Sequence, residues 1–430
     1  MGAVSRCARF WEPPVTGLYI SAMWCQIPII DPIMTFKLFA GSLVMMLAVI
    51  STAFVIMRHS KFYQGELART GGREVTLDGL RGLAALMVAV CHGGMVSLWI
   101  KSGQWLAVRP NVLQSFGSIG VIFFFMLTGY LFWGKARKAN GKINPLKLWR
   151  GRLYRIAPLY LFSVGLMVLL VLAESGHGWL ALKYITPMLR ILSLGVLCWW
   201  PVGPVNSLDY NGAVWTLQFE WQFYLLLPFI AWVATGRRTY IGILIFLGAY
   251  VYHWVLIFIW PGLDWHSATM DIWWFFVFGI LSSALLENQK AASVLRHPLA
   301  AVIVLCASVI WCCLQRQFFP SVSLAAGLFP TFLVAAAGNG FGGLLTHPVT
   351  RCLGAISFSL YLLHFMVFRL VFWLATAGGW GWMPSIIHWL ILTVALVAVT
   401  ILSAFTYRWI EFPFLSANRK LNSTANQQTA

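Results

Sequence analysis

The chain has 430 residues, of which 60% are hydrophobic and only 10% charged, against about 25% charged in a soluble globular protein. Apolar runs of roughly 18 or more residues recur along it, the mark of a polytopic helical membrane protein, whereas the alternating segments of about ten residues that a β-barrel needs do not occur. The formal charge of +18 raises nucleic acid as a partner, but no basic soluble domain carries that charge, so no nucleic acid is expected and the basic residues belong at helix ends, beside membrane lipids.

In chain order the apolar runs predict one early helix at 38–57 and ten more, at 79–99, 117–134, 156–173, 213–234, 239–260, 269–286, 299–315, 322–338, 354–375 and 385–406. The expected fold is therefore an all-α integral membrane protein, a ten-helix core bundle plus one N-terminal helix. Residues 1–76 form an N-terminal extension whose helix is a signal anchor or an accessory span, residues 77–414 the ten-helix domain, and residues 415–430 a polar tail. The longest connections are 58–78, 135–155 and 174–212.

Lysine and arginine fix the expected orientation. The connections on one side hold 21 of the 30 and those on the other hold 8, with Arg369 inside a helix. By the positive-inside rule the richer side is cytoplasmic, which puts the N-terminus outside and the C-terminus in the cytoplasm. The eight cysteines lie mostly inside apolar runs and include no CxxC, so they read as small core residues. No HExxH or comparable ligand spacing occurs, and no metal is expected.

Two residues in Leu77–His92, LDGLRGLAALMVAVCH, stand out. Arg81 and His92 are eleven positions apart, a rise of roughly 16 Å, and eleven steps of about 100° bring both side chains to nearly one face. An ionisable residue inside the bilayer is costly and reads as functional by default. The plain alternative is a positive-inside arginine with a histidine hydrogen-bonded to a neighbouring helix.

This stretch resembles the first core helix of the membrane-bound acyltransferase 3 family, which includes O-antigen, exopolysaccharide and nodulation-factor O-acetyltransferases, and Arg81 and His92 meet its Arg-x10-His pattern. Further stretches match in order: FFFMLTGYLFW (Phe123–Trp133), RLYRIAPLY (Arg152–Tyr160), WTLQFEWQFYLLLP (Trp215–Pro228), and SFSLYLLHF (Ser357–Phe365) with YRWIEFPF (Tyr407–Phe414). Thr128, Tyr130 and Thr216 depart from the usual Ser, Phe and Ser. The resemblance covers 77–414 and implies transfer of an acyl group, usually acetyl, from cytoplasmic acetyl-CoA to a hydroxyl of an extracytoplasmic glycan or lipid-linked sugar. That would modify a polysaccharide from the bacterial inner membrane, with acyl-CoA as donor substrate and no permanently bound cofactor.

The residues suit such chemistry. His92 is the expected general base, since a histidine titrates near working pH. Glu220, expected at a depth near His92, either orients the base or is an interfacial carboxylate pairing with backbone or Arg369. Arg152 and Arg155, three apart on one helical face, are the expected grips on the donor's phosphates, with Arg81 joining them or pairing with Asp78. Asp78 reads first as a helix N-cap. His364 has a structural and a site reading of equal weight, and Arg369 is expected to face the bundle interior. His253, His266 and His388 fall near outer helix ends and read as incidental. The 174–212 loop contains Trp179, Trp199, Trp200 and Asp209, and its Trp residues read as interface-belt residues before sugar-stacking ones. The rival function is a transporter or flippase of a glycan precursor or small solute, which intramembrane His, Glu and Arg would serve as a proton relay; no repeated halves support it.

Overall fold

The computed structural model describes residues 32–69, 74–102, 112–175, 192–196, 210–234, 240–241, 243–244, 247–248, 251, 255, 267–315 and 320–428. In chain order the helices are α1 (Pro32–His59), α2 (Lys61–Ala68), α3 (Val75–Ser102), α4 (Val112–Lys138) and α5 (Pro145–Ser175). A 3-10 turn (Gly212–Thr216) leads into α6 (Leu217–Ala234), followed by α7 (Ser267–Leu285), α8 (Gln289–Leu295), α9 (Pro298–Leu314), α10 (Val322–Ala336), α11 (Pro348–Ala377), α12 (Ser385–Thr406) and α13 (Phe412–Gln428). No strand occurs among the described residues. Each expected core helix coincides with one of these except 239–260, most of which lies outside the described residues.

Six of the described helical stretches are long and apolar enough to cross a membrane. The bent pair α8–α9, turned by 73°, would make a seventh. The chain is an integral membrane protein. Burial separates the centre from the rim: 72% of the apolar window of α3 is buried inside the protein, against 28% for α1. A helix covered on all sides must be apolar all round, and this explains why the stretch after Leu77 shows no amphipathic stripe.

Helix α3 packs most extensively on α11 and α4, and α4 on α7. Lipid gives no hydrophobic drive for helices to associate, so close backbone contact has to supply the attraction. Small residues make that contact: a Cβ on Gly82 would overlap the Thr350 carbonyl, and one on Gly129 would overlap the Phe276 carbonyl. This is the structural reason for the second glycine of LDGLRG and for the glycine of LTGY. The apolar core falls into two clusters that share α3 and α11, one toward α4–α7 and one toward α1 and α12.

The sequence predicts a long connection at 135–155, but the link between α4 and α5 runs only from Ala139 to Asn144. Pro145 opens α5 at a position where a missing N–H is harmless, and the Asn144 side chain accepts from Lys147 N at 3.0 Å. Arg150, Arg152 and Arg155 thus ride on the first turns of α5 and not in a loop. At the other end α12 runs through a π-turn (Tyr407–Glu411) into α13, so residues expected as a tail are helical to Gln428.

Candidate active site

A cavity of about 350 Å³ opens between α3, α4, α5, α6, α11 and α13. Arg81, Lys135, Arg152, Arg155, Arg351 and Arg419 line it, six cations against the two carboxylates of Asp78 and Glu220. Toward its inner end the lining becomes Val121, Phe124, Thr216 and Tyr361. Ten residues of α11 separate Arg351 from Tyr361, a depth of about 15 Å. The cavity therefore pairs a basic mouth with a mostly apolar bore.

The cations are not equivalent. Arg81 Nη1 meets Asp78 Oδ1 at 3.3 Å, and Arg155 Nη1 meets Glu411 Oε2 at 2.8 Å. Arg152 lies over the rings of Phe132 (4.7 Å to the centroid) and Tyr224 (5.4 Å), which fix its plane. It makes no ion pair among the described residues, and its Nε is buried without a hydrogen-bond partner there. Arg351 Nη2 donates to the Leu67 carbonyl at 2.7 Å, while its Nε is also buried and unpartnered among the described residues. Such orphan donors are costly to bury and mark places where an anion can bind. At the rim, burial holds the Glu74 carboxyl above the usual carboxylate range, with Tyr130 Oη donating to it at 3.4 Å.

Asp78 is not an N-cap. Helix α3 begins at Val75, so Asp78 sits inside the first turn, where a carboxylate suits the helix dipole and can reach Arg81 three residues on. Arg81 pairs with Asp78 and also lines the cavity.

His92 meets His364 and not Glu220. His92 Nδ1 is 2.9 Å from His364 Nε2, the rings stack at 5.0 Å, and Phe365 stands edge-on to His92 at 5.4 Å. His364 Nδ1 is 3.0 Å from the Leu360 carbonyl, which only accepts. With both rings neutral, His364 therefore carries its proton on Nδ1 and offers the Nε2 lone pair. His92 must donate from Nδ1, leaving the lone pair on its Nε2, the arrangement a general base needs.

The residues from 212 to 224 descend past α11 like a ladder. Gly212 packs on Phe365, Thr216 Oγ1 is 3.1 Å from Tyr361 Oη, and Glu220 accepts from Tyr224 Oη at 2.9 Å. Glu220 is thus about two turns below the level of His92, facing Arg152, Arg155 and Arg81. Glu220 would match the depth of His92 only if its helix started at the membrane surface, but the 3-10 turn ahead of it already lies at the level of Phe365. The cavity stops at Tyr361, whose ring lies 6.1 Å from that of His364, so neither histidine lines it.

Arg369 lies over Tyr210 at 4.8 Å, Phe372 at 5.5 Å and Trp99 at 5.6 Å, an intramembrane cation held by aromatic faces and apart from the cavity. His388 is 1% exposed and its Nε2 donates to the Trp380 carbonyl at 3.0 Å, so it is not the water-facing residue its place near a helix end suggests. His253, His266, Trp179, Trp199, Trp200 and Asp209 lie outside the described residues. Glu411 is absent from the residues singled out in the sequence; it is buried, takes Arg155, and accepts a short hydrogen bond from Ser359, to which Thr406 donates at 3.0 Å. Its signal was a lone carboxylate closing an apolar run, in a π-turn, a feature frequent at functional sites.

The sequence model of the acyltransferase domain, of the acyltransferase 3 type, matches residues 74–407. The chain belongs to that family. Acyltransferase family membership decides between the two functional classes left open by the intramembrane charges: the protein is an enzyme. It is 27% identical over 323 residues to the acyltransferase MdmB of Streptomyces mycarofaciens, covering 68% of this chain and 79% of that one. It is also 27% identical over 167 residues to the O-acetyltransferase OatA of Staphylococcus aureus, covering 36% of this chain and 24% of OatA. The matched part is thus about a quarter of OatA's length. No solved structure matches the chain. All the cavity cations but Arg419 fall within the family domain, whereas α1 and α2 precede it.

Proposed function

We propose that this acyltransferase moves an acyl group, acetyl in the first instance, from a cytoplasmic acyl-CoA to a hydroxyl of a glycan or lipid-linked sugar on the outer side of a bacterial inner membrane. One observation carries the reading: six cations against two carboxylates at the mouth of a bore that turns apolar inward. An acyl-CoA has the complementary form. Its diphosphate and phosphomonoester carry roughly four negative charges, and its pantetheine arm is a long, thin, nearly neutral chain.

In this reading Arg152, Arg155 and Arg81 hold phosphate oxygens, and the arm runs up the bore toward Thr216 and Tyr361. His92 Nε2 takes the proton from the acceptor hydroxyl. The oxygen attacks the thioester carbonyl, the C–S bond breaks, and CoA leaves as thiolate or thiol. His364 keeps His92 in the required tautomer. Glu220, in contact with Tyr224, is a positioning residue at the arginine level and not the orienting partner of His92. The name O-acetyltransferase carried by OatA supports acetyl and a hydroxyl acceptor.

Surface-glycan mass spectrometry on three strains tests this: a deletion, its rescue by wild type, and its rescue by His92→Ala at equal protein level. An acetyl-sized increment lost on deletion and restored only by wild type is the expected result. Full restoration by His92→Ala removes the base. Loss of the whole polymer, with precursor trapped inside, removes the reaction.

A further inference from the structure

Helices α1 and α2 lie ahead of the family domain, yet α2 is built onto its cavity. Tyr63 Oη donates to the Ala404 carbonyl at 2.7 Å, and its ring stacks on Tyr407 at 6.1 Å. Tyr407 Oη reaches the buried Glu66 at 3.4 Å, and Phe62 stands edge-on to Phe412 at 4.9 Å. These contacts seat α2 on the π-turn between α12 and α13, the turn that also carries Glu411. The seat brings the last turn of α2 to the cavity, where Leu67 becomes part of the lining.

The last carbonyls of a helix have no partner within it and carry the negative end of its dipole. One of them, on Leu67, takes Arg351 Nη2 at 2.7 Å. That contact uses one N–H of the guanidinium. The Nε is buried and has no partner among the described residues, and the side chain lines the cavity. A carbonyl brings no counter-charge to Arg351, whereas Arg81 and Arg155 each face a carboxylate.

We propose that Arg351 is a binding residue for a phosphate of the donor, and that α2, through the Leu67 carbonyl, is the element that aims it. Helix α2, although it lies ahead of the family domain, is then part of the active cavity. This rests on the acyl-CoA reading above and adds to it a residue and an element that the Arg-x10-His and RxxR segments do not contain.

The test is equilibrium binding to the purified full-length protein in nanodiscs, with CoA, dephospho-CoA and pantetheine as probes and size-exclusion as the folding control. Wild type should bind CoA far more tightly than pantetheine. Arg351→Ala should weaken CoA about 10- to 100-fold, the range of a lost charge-assisted hydrogen bond, and leave pantetheine unchanged. Arg351→Lys, which keeps the charge without the fork, should fall between. Tyr63→Phe unseats α2 without touching the cavity, and should weaken CoA several-fold, again sparing pantetheine. If the loss with dephospho-CoA matches that with CoA, the diphosphate is the partner; if it vanishes, the phosphomonoester is. An unchanged CoA affinity in Arg351→Ala, or equal losses for CoA and pantetheine, overturns the proposal while leaving the donor reading intact. A wild type that does not distinguish CoA from pantetheine overturns both.

Discussion

At the residue scale the site depends on which charges already have partners. His92→Ala should lower turnover by about 10²–10⁴, the usual worth of a general base, with donor affinity unchanged, as measured by CoA release at saturating acyl-CoA. His364→Ala should act differently, because it removes only the acceptor that holds the His92 proton on Nδ1. A milder fall in kcat with an altered pH profile is expected, and an unaltered profile would make the stacked pair purely structural. Glu411 is a matter of stability first. It is buried against a guanidinium that is itself mostly buried, so Glu411→Ala strands Arg155 and should cost about 3–5 kcal/mol. Glu411→Gln keeps an acceptor for Ser359 and should cost less. Apparent Tm in detergent separates the two, and equal values would show that the charge is irrelevant.

At the element scale the packing of α3 on α11 leaves no room for a side chain at the crossing. A Cβ on Gly354 would overlap the Asp78 carbonyl, which moves only with the backbone of α3. Gly354→Val should therefore abolish the folded peak in size-exclusion chromatography. Gly65 is the contrast: nothing lies within 4 Å of its Cβ position on α2. Gly65→Ala should fold normally and stabilise α2 locally by about 0.5–1 kcal/mol. Helices were legible because twenty apolar residues in a row have few other fates. Their ends were not, where charge obscured them: the polar turns that open α5 look like a loop until Pro145 and Asn144 are read as a helix start. The depth of Glu220 was illegible for another reason, since nothing in WTLQFE says that the chain is already far inside the protein when it begins to coil.

At the scale of the whole molecule, Arg81, Arg152 and Arg155 stood out in the sequence because they lie in short ordered segments. Arg351 and Arg419 did not, because each is one basic residue among the many that flank helices. Only the fold brings them into one cavity, across more than 300 positions of chain, and that convergence constrains the topology. All six cavity cations come from connections assigned to the same side by the count of 21 against 8. Residues Arg81 and Lys101 lie at opposite ends of α3, about 30 Å apart at 1.5 Å per residue, which is the thickness of the hydrocarbon core. The mouth of the cavity and the Lys101 end must then face opposite compartments. Acyl-CoA is made in the cytoplasm, so the donor reading requires the mouth to open there. In a background without native cysteines, Lys101→Cys should react with a membrane-impermeant maleimide in intact cells. Lys142→Cys, exposed in the short α4–α5 link beside the mouth, should react only after permeabilisation. The reverse pattern would turn the cavity outward, away from any acyl-CoA, and the basic mouth would have to serve an anionic acceptor instead.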